Sequence, residues 1–376
     1  MLPIAKRIDA HIHYALPLKP ETLISFMDRS GIDMANLVLV PSRSRLSAVP
    51  DALMAKAKYP DRFYVFTSFD VSEYYRHGKQ IGKYMAKFVD NMRRCGCDGL
   101  KIIEGKPSMR RGMPIPDFDL PCWEPLWDYA ERTELPILWH LNDPESCWGE
   151  AEKAPKHIRM AGELYDSSYV SNEDQYRQME AILQRHPKIK FIFAHLYFMS
   201  AQLPRLAALL DKFPNVMVDI TPGLEIYVNL SRNTDAASRF FETYQDRILY
   251  GSDIGARCVL ADGAETFNED ECRARMELID GLFTLETEQI MKEDGRYLIN
   301  TEDFVLKGIS LSPEALNKIY WQNFQQYVGE TPVKVNPKAI RRECRRIQLM
   351  LKIMSFIDKG MTPDTSVAKD AMAFFN

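Results

Sequence analysis

The chain has 376 residues, of which 46% are hydrophobic and 27% charged, as in an ordinary globular protein large enough for one barrel or two domains. Its net charge of −4, without long runs of Lys or Arg, indicates small-molecule partners and no nucleic acid. It has no apolar signal core and no apolar run near the ~20 residues that a bilayer span needs, so we expect a cytoplasmic protein with no membrane partner.

The first predicted strand ends in two histidines. The stretch IDAHIHYALP occupies residues 8–17 and places His11 and His13 on either side of Ile12. Side chains of an extended strand alternate between two faces, so Asp9, His11 and His13 would share one face. One such pair occurs easily by chance. It therefore indicates a metal site only if other strands supply further ligands at equivalent positions.

Short apolar, β-branched or aromatic runs alternate with helical periodicity along the chain. The eight predicted strands occupy residues 7–13, 34–41, 62–70, 97–104, 135–143, 190–196, 216–223 and 248–255. Helical spacing covers residues 21–31, 122–134, 173–187, 202–214 and 235–247. Eight strands alternating with helices in about 250 residues predict the α/β class and a (β/α)8 TIM barrel. A doubly wound sheet is the alternative, but the Gly-rich phosphate loop of its nucleotide-binding members is missing.

Polar side chains fall at the ends of these predicted strands, where the active sites of (β/α)8 barrels lie. They are His11 and His13 in the first strand, Lys101 and Glu104 in the fourth, His140 and Asn142 in the fifth, His195 in the sixth and Asp253 in the eighth. Imidazole nitrogens and carboxylate oxygens suit Zn²⁺ or another divalent transition ion. The pattern therefore predicts a metal site at one end of the barrel.

In this order the motifs resemble the metal-dependent amidohydrolase superfamily, and within it the amidohydrolase-2 branch, which includes aminocarboxymuconate-semialdehyde and resorcylate decarboxylases. The resemblance rests on IDAHIH, AHL and LYGSDIG, and on residues 308–329, which look like the closing helix and contain Asn323. It implies one divalent ion, Zn²⁺ or alternatively Mn²⁺, held by His11, His13, His140 and Asp253. It also implies that His195 lies close to the metal-bound water or the substrate.

This ligand set predicts metal-assisted hydrolysis. A divalent ion bound by imidazoles and one carboxylate lowers the pKa of a bound water to roughly 7. Asp253 could take up the proton of that water, and His195 could donate to the oxygen that becomes negative. We expect a hydrolase of a small organic acid, ester, lactone or amide. The alternatives are a non-oxidative decarboxylase of an aromatic or unsaturated carboxylic acid, and an inactive barrel that serves as a binding protein, against which the intact ligand set argues.

Two residues of the fourth strand are candidates for recruiting a second metal. Lys101 and Glu104 have opposite parity, so at most one of them faces the interior of the barrel. We therefore favour a single metal, and we expect Lys101 to bind substrate.

Further substrate contacts are expected from the loops. Arg43 and Arg45 follow the second strand, where guanidinium groups could bind a substrate carboxylate, with a solvated surface role as the alternative. The segment 144–172 is long for a connection between a strand and a helix, which is typical of lids. Trp148 and Tyr165 in this segment are predicted to contact the substrate.

The chain continues beyond what a barrel needs. We expect a barrel over residues 1–329 and a helical extension over 330–376. Residues 340–360 have amphipathic periodicity, with Arg341, Arg342, Arg345 and Arg346 clustered near the start. This helix is expected to pack on the barrel or on a second subunit of a homo-oligomer.

Overall fold

The computed structural model describes residues 3–15, 18–42, 44–150, 154, 156–161, 164–255, 267–292, 303–357, 359–360 and 362–376. Its strands are β1 (Ile8–His13), β2 (Met34–Val38), β3 (Phe63–Thr67), β4 (Gly99–Gly105), β5 (Pro136–Leu141), β6 (Lys190–Phe193), β7 (Val216–Asp219), β8 (Ile248–Leu249), β9 (Ile254–Gly255), β10 (Gln289–Met291) and β11 (Phe304–Leu306). Within these residues no helix has the length and apolar character needed to cross a membrane.

The helices are α1 (Pro20–Ser30), α2 (Val49–Lys58), α3 (Ser72–His77), α4 (Ile81–Cys95), α5 (Pro107–Gly112), α6 (Glu124–Arg132), α7 (Lys156–Ala161), α8 (Asn172–Arg185), α9 (Leu203–Lys212), α10 (Leu224–Arg232), α11 (Thr234–Thr243), α12 (Glu269–Thr284), α13 (Pro313–Asn317), α14 (Asn323–Val328), α15 (Pro337–Ile357) and α16 (Ser366–Phe374). A π-helical turn, Lys318–Gln322, joins α13 to α14. Each of the five segments predicted to be helical overlaps one of these helices.

Strands β1 to β9 form one parallel sheet in the order β8-β7-β6-β5-β4-β3-β2-β1-β9. The eighth predicted strand is interrupted, because β8 pairs with β7 whereas β9 pairs with β1. Between them, the Ala10 amide donates to the Tyr250 carbonyl at 3.0 Å and the Asp253 amide donates to the His11 carbonyl at 2.9 Å. One segment therefore contacts both ends of the sheet, which closes it as the predicted (β/α)8 barrel.

One part of the barrel core is an apolar cluster that seals the amino-terminal end. Tyr64, Leu138, Ile192 and Leu249 belong to this buried cluster. Phe324 of α14 packs against the Tyr64 ring with a centroid distance of 5.0 Å and so covers this end. The carboxyl ends of the strands are left for polar side chains, as the strand-end pattern predicts.

The helical extension packs on the barrel through buried residues of α15 and through ion pairs. Arg346 of α15 contacts Asp70 after β3 at 2.7 Å. Asp364, which precedes α16, pairs with Arg45 at 2.8 Å, and its amide donates to the Ser44 carbonyl at 2.8 Å. The extension therefore holds the loop that follows β2. Formation of a homo-oligomer stays a prediction.

A buried carboxylate lies where α2 meets the extension. Asp51 is 8% exposed, and burial raises its pKa from 3.8 to about 7. Below pH ~4 both the folded and unfolded states hold this proton. Above that pH the unfolded state releases it first, so the contribution to stability falls as the pH rises to about 7. We expect Asp51→Asn to raise the free energy of unfolding by about 2–4 kcal/mol at pH 8, and to change it little at pH 4.

Urea unfolding of both proteins at these two pH values measures the difference. Asp61→Asn, at an exposed position, is the matched control. An equal stabilisation at pH 4 and pH 8 would contradict the assignment to the Asp51 charge.

Candidate metal and active site

Three side chains from β1 and the β8–β9 segment come together at the carboxyl end of the barrel. Potential ligand atoms of His11, His13 and Asp253 all lie within 4.8 Å of one another, and the three residues are buried. Asp253 Oδ1 lies 3.0 Å from His13 Nε2 and 3.7 Å from His11 Nε2. Ligands held by bonds of about 2.0–2.2 Å around a tetrahedral ion are separated by roughly 3.3–3.6 Å. The donors therefore fit one divalent first-row ion.

A β-bulge in β1 directs the two histidines. The pairing of β1 with β2 shifts register between Asp9 and Ile12, which interrupts the regular alternation of side chains. The Asp9 carboxylate accepts hydrogen bonds from the main-chain amides of His11 and Ser252, at 3.0 and 3.1 Å. Asp9 thus fixes the backbone beneath the ligand group and is not part of it.

Asp219, the last residue of β7, orients His11. Its Oδ2 lies 2.9 Å from His11 Nδ1, and both side chains are fully buried. Burial alone would raise the pKa of Asp219, but the adjacent His11 and further hydrogen bonds hold it well below its usual range. Because Nδ1 donates to this carboxylate, His11 Nε2 keeps the lone pair that a metal requires. Asp219 is not among the predicted site residues, because the predicted strand continues to residue 223 whereas the observed strand ends at Asp219.

We expect Asp219→Asn to weaken metal binding at the barrel centre by about 10–100-fold, as is typical when the partner of a ligating histidine is removed. The amide cannot supply the negative charge that makes the imidazole a stronger ligand. Competition with a chromophoric chelator measures the affinity. Asp235→Asn, on the exposed side of α11, is the control. Equal affinities in the two variants would remove Asp219 from the site.

Lys101 of β4 reaches the same group from the side. Its Nζ lies 3.0 Å from His11 Nε2, so this side chain faces the barrel interior. Burial lowers the pKa of Lys101 to about 8. Glu104 is also fully buried, and burial raises its pKa to about 7, but it belongs to no potential ligand group in the described part of the chain. The geometry thus offers no second metal ligand from Glu104.

His140, at the end of β5, lies beside the group without joining its 4.8 Å cluster. Its Nε2 contacts Asp143 Oδ1 at 3.2 Å, and its ring centroid lies 4.9 Å from that of His195. Asp143 also accepts hydrogen bonds from Lys106 at 2.8 Å and from the Tyr165 hydroxyl at 2.6 Å. The same carboxylate therefore holds His140 and a residue of the long 144–172 segment. A ligand role for His140 stays a prediction.

His195 begins a left-handed turn after β6. The φ angles of His195, Leu196, Tyr197 and Phe198 are 58°, 48°, 57° and 56°, in a region that non-glycine residues rarely adopt. The main-chain amide of His195 donates to Asp219 Oδ1 at 2.8 Å, and its ring Nδ1 lies 3.0 Å from the Thr221 hydroxyl. These contacts leave Nε2 as the ring nitrogen available to a substrate.

The second oxygen of Asp253 is held by Arg275 of α12. The Arg275 guanidinium contacts Asp253 Oδ2 at 3.3 Å and Glu271 at 3.0 Å. Asp253 itself has a φ of 54°, in the left-handed region that non-glycine residues rarely adopt. Arg275 is a contact that no strand-end pattern could reveal, because it comes from a helix.

The other predicted substrate residues occupy the loops. Trp148 packs on Tyr165 with ring centroids 4.9 Å apart, in a small cluster of the 144–172 segment, and its buried Nε1 has no hydrogen-bond partner among the described residues. Arg45 is paired with Asp364. Arg43 lies outside the described residues. Substrate binding by these residues stays a prediction.

A closed parallel barrel that gathers two histidines and a carboxylate at its carboxyl end has the architecture of a metal-dependent barrel enzyme. The family model described as amidohydrolase matches residues 8–323, so the chain belongs to this family, and the resemblance to the amidohydrolase-2 branch is confirmed.

Solved structures of this fold are similar at low sequence identity. An amidohydrolase II is 15% identical and covers 86% of this chain and 99% of its own, with a TM-score of 0.50. A 5-carboxyvanillate decarboxylase from Novosphingobium aromaticivorans, in complex with manganese and a nitrobenzoic acid, is 14% identical over 87% and 99%, with a TM-score of 0.49. A probable 2-pyrone-4,6-dicarboxylic acid hydrolase from Acinetobacter baumannii, with citric acid bound, is 12% identical over 86% and 99%, with a TM-score of 0.47. No curated protein matches the chain.

Proposed function

We propose that the protein is a metal-dependent hydrolase of a small carboxylate-bearing ester, lactone or amide. The observation that carries this proposal is the buried group of His11, His13 and Asp253, whose donor atoms lie within 4.8 Å of one another at the mouth of the barrel. A carboxylate that lies beside two imidazoles can both bind an ion and transfer a proton. Membership of the amidohydrolase family supports an enzymatic role.

His11, His13 and Asp253 would hold the ion, and His140 stands beside them as the proposed fourth ligand. When bound, a divalent ion such as Zn²⁺ or Mn²⁺ polarises a substrate oxygen and lowers the pKa of a coordinated water. Asp253 is placed to take up a proton on its carboxylate and return it to the leaving group. His195 faces the substrate through Nε2. The Thr221 hydroxyl donates to Asp219, so Nδ1 of the neutral ring donates to Thr221 and Nε2 is an acceptor; it can donate to the oxygen that becomes negative only after it has taken up a proton.

Lys101 supports an anionic substrate. His11 Nε2 has one lone pair, so it cannot accept a hydrogen bond from Lys101 and bind a metal at the same time. In the metal-loaded protein the Lys101 ammonium must find another acceptor in this buried site. A substrate carboxylate would satisfy it, because an isolated buried ammonium is costly.

A combined assay and metal analysis test the proposal. We expect protein purified without added metal to carry an equivalent of divalent ion that His13→Ala removes, and to hydrolyse members of a panel of carboxylated lactones, esters and amides. Oxygen-18 from labelled water should appear in the product. Release of carbon dioxide from aromatic or unsaturated acids, without hydrolysis, would assign decarboxylation instead. Absence of metal, with none taken up on addition, would overturn both reactions.

A further inference from the structure

An acidic face of α6 lies opposite a buried histidine on the outside of the barrel. Glu124, Asp128 and Glu131 are spaced by four and three residues, which places their carboxylates on one face of the helix. His186 directly follows α8 and is only 5% exposed. These residues belong to helices and to a helix end, not to the carboxyl ends of the strands that form the barrel centre.

The hydrogen bonds of His186 fix which ring nitrogen carries a lone pair. Its Nε2 lies 2.8 Å from Glu124 Oε2, and an ionised carboxylate can only accept, so Nε2 is the protonated nitrogen in the neutral ring. The other oxygen of Glu124 pairs with Arg185 at 2.8 Å. His186 Nδ1 is buried and makes no hydrogen bond within the described residues.

This unpaired nitrogen faces two more carboxylates. Nδ1 lies 3.5 Å from Glu131 Oε2 and 3.9 Å from Asp128 Oδ1. A lone pair turned toward two anionic oxygens is repulsive, and a proton on Nδ1 or a metal ion between the groups relieves this repulsion. Both separations exceed a normal hydrogen bond and are close to the roughly 3.3–3.6 Å that separates two ligands of one tetrahedral ion. Ligand atoms of Glu124, Asp128 and His186 lie within 4.8 Å of one another. Glu131 is not part of that group, so an ion shared with Glu131 requires the Asp128 side chain, which is 71% exposed, to turn toward it.

We propose that this cluster is a second metal site, in which Nδ1 of His186 and the carboxylates of Asp128 and Glu131 bind a divalent first-row ion such as Zn²⁺. Glu124 is the outer partner that orients the ring, as carboxylates commonly do for ligating histidines. One imidazole and two carboxylates leave a fourth position for water. The site is independent of the proposed activity, because none of its residues belongs to the barrel centre.

The site is accessible to ions from solution, and a bound ion would connect two helices. The Asp128 side chain is 71% exposed. Asp128 and Glu131 also line a cleft of about 970 Å³ that continues past Lys188 toward Tyr327. A bound ion would connect the face of α6 to the end of α8. Because it binds the folded chain, it should raise thermal stability.

Zinc titration of metal-free protein tests this site. We expect wild-type protein to bind two equivalents of Zn²⁺. His186→Gln and, separately, Asp128→Asn should each bind one, whereas His13→Ala should keep the equivalent held by His186. Saturating zinc should raise the Tm of His13→Ala by on the order of 2–4 °C, and this rise should be absent when Asp128→Asn is added.

Asp128→Asn changes an exposed side chain and leaves the core intact, so it stays informative if His186→Gln fails to fold. His77→Gln on α3 is the matched control and should bind two equivalents. Two equivalents in Asp128→Asn and His186→Gln would overturn the proposal, as would a single wild-type equivalent that His13→Ala removes. If a variant loses turnover but still binds the zinc held by His186, the failure lies in the proposed function of the barrel centre and not in this second site.

Discussion

Asp253→Asn is expected to lower kcat by about 10²–10⁴-fold while the barrel keeps much of its metal. An asparagine oxygen can still face His13 Nε2, which lies 3.0 Å from Asp253 Oδ1. The amide cannot take up a proton at the pH of the assay. Most of the turnover should therefore be lost while the metal stays bound. Metal analysis and single-turnover kinetics on the same preparation measure both effects.

The Asp253→Asn variant also places an amide against Arg275, which now contacts Oδ2 at 3.3 Å. Thermal unfolding must therefore show that the variant is folded. Comparison with Asp219→Asn separates metal binding from proton transfer, because the Asp219→Asn variant should lose affinity for the metal. Near-normal turnover on a true substrate, with the metal retained, would remove Asp253 from proton transfer.

His13→Ala is expected to lose the barrel metal and turnover together. The change removes a donor atom from the ligand group itself, so the affinity should fall by more than the 10–100-fold typical of an outer partner. His13 is a cleaner target than His11, whose removal would leave the buried Asp219 carboxylate without its imidazole. Elemental analysis after dialysis and an activity assay with added Zn²⁺ or Mn²⁺ measure the loss.

His77→Ala is the control for His13→Ala, because it removes an imidazole from α3. Its metal content and turnover should match those of the wild type. High concentrations of added metal should restore part of the turnover of His13→Ala if the remaining ligands still form the site. Full turnover of His13→Ala without metal would contradict metal-dependent catalysis.

The barrel could be predicted from the sequence because each strand is a local signal. Seven of the eight predicted runs each overlap one observed strand, and their polar ends meet because parallel strands end on one face. The interruption of the last run was not predictable. Gly251 lies in the interrupted stretch, where an added Cβ would come within 2.9 Å of the Thr221 side chain and 3.2 Å of the His11 side chain.

The supporting contacts of the site could not be predicted because they depend on distant segments. Asp219 and His11 are 208 residues apart, and Arg45 pairs with a carboxylate 319 residues away. The β-bulge that separates Asp9 from the ligand group is equally invisible in the alternation of residues. Local sequence patterns identify the side chains that can take part in catalysis. Residues on neighbouring strands determine the tautomer of each histidine and the direction of each side chain.

The left-handed turn after β6 bears on protein engineering. Four consecutive non-glycine residues can hold this conformation only because their surroundings compensate for its cost. Leu196 and Tyr197 are buried, and the Tyr176 hydroxyl of α8 donates to the Tyr197 carbonyl at 3.0 Å. Sequence changes on α8 can therefore displace His195 without touching the barrel interior. Mutant libraries aimed at new substrates should include this helix. Glycine substitutions in the turn would raise stability at the expense of activity.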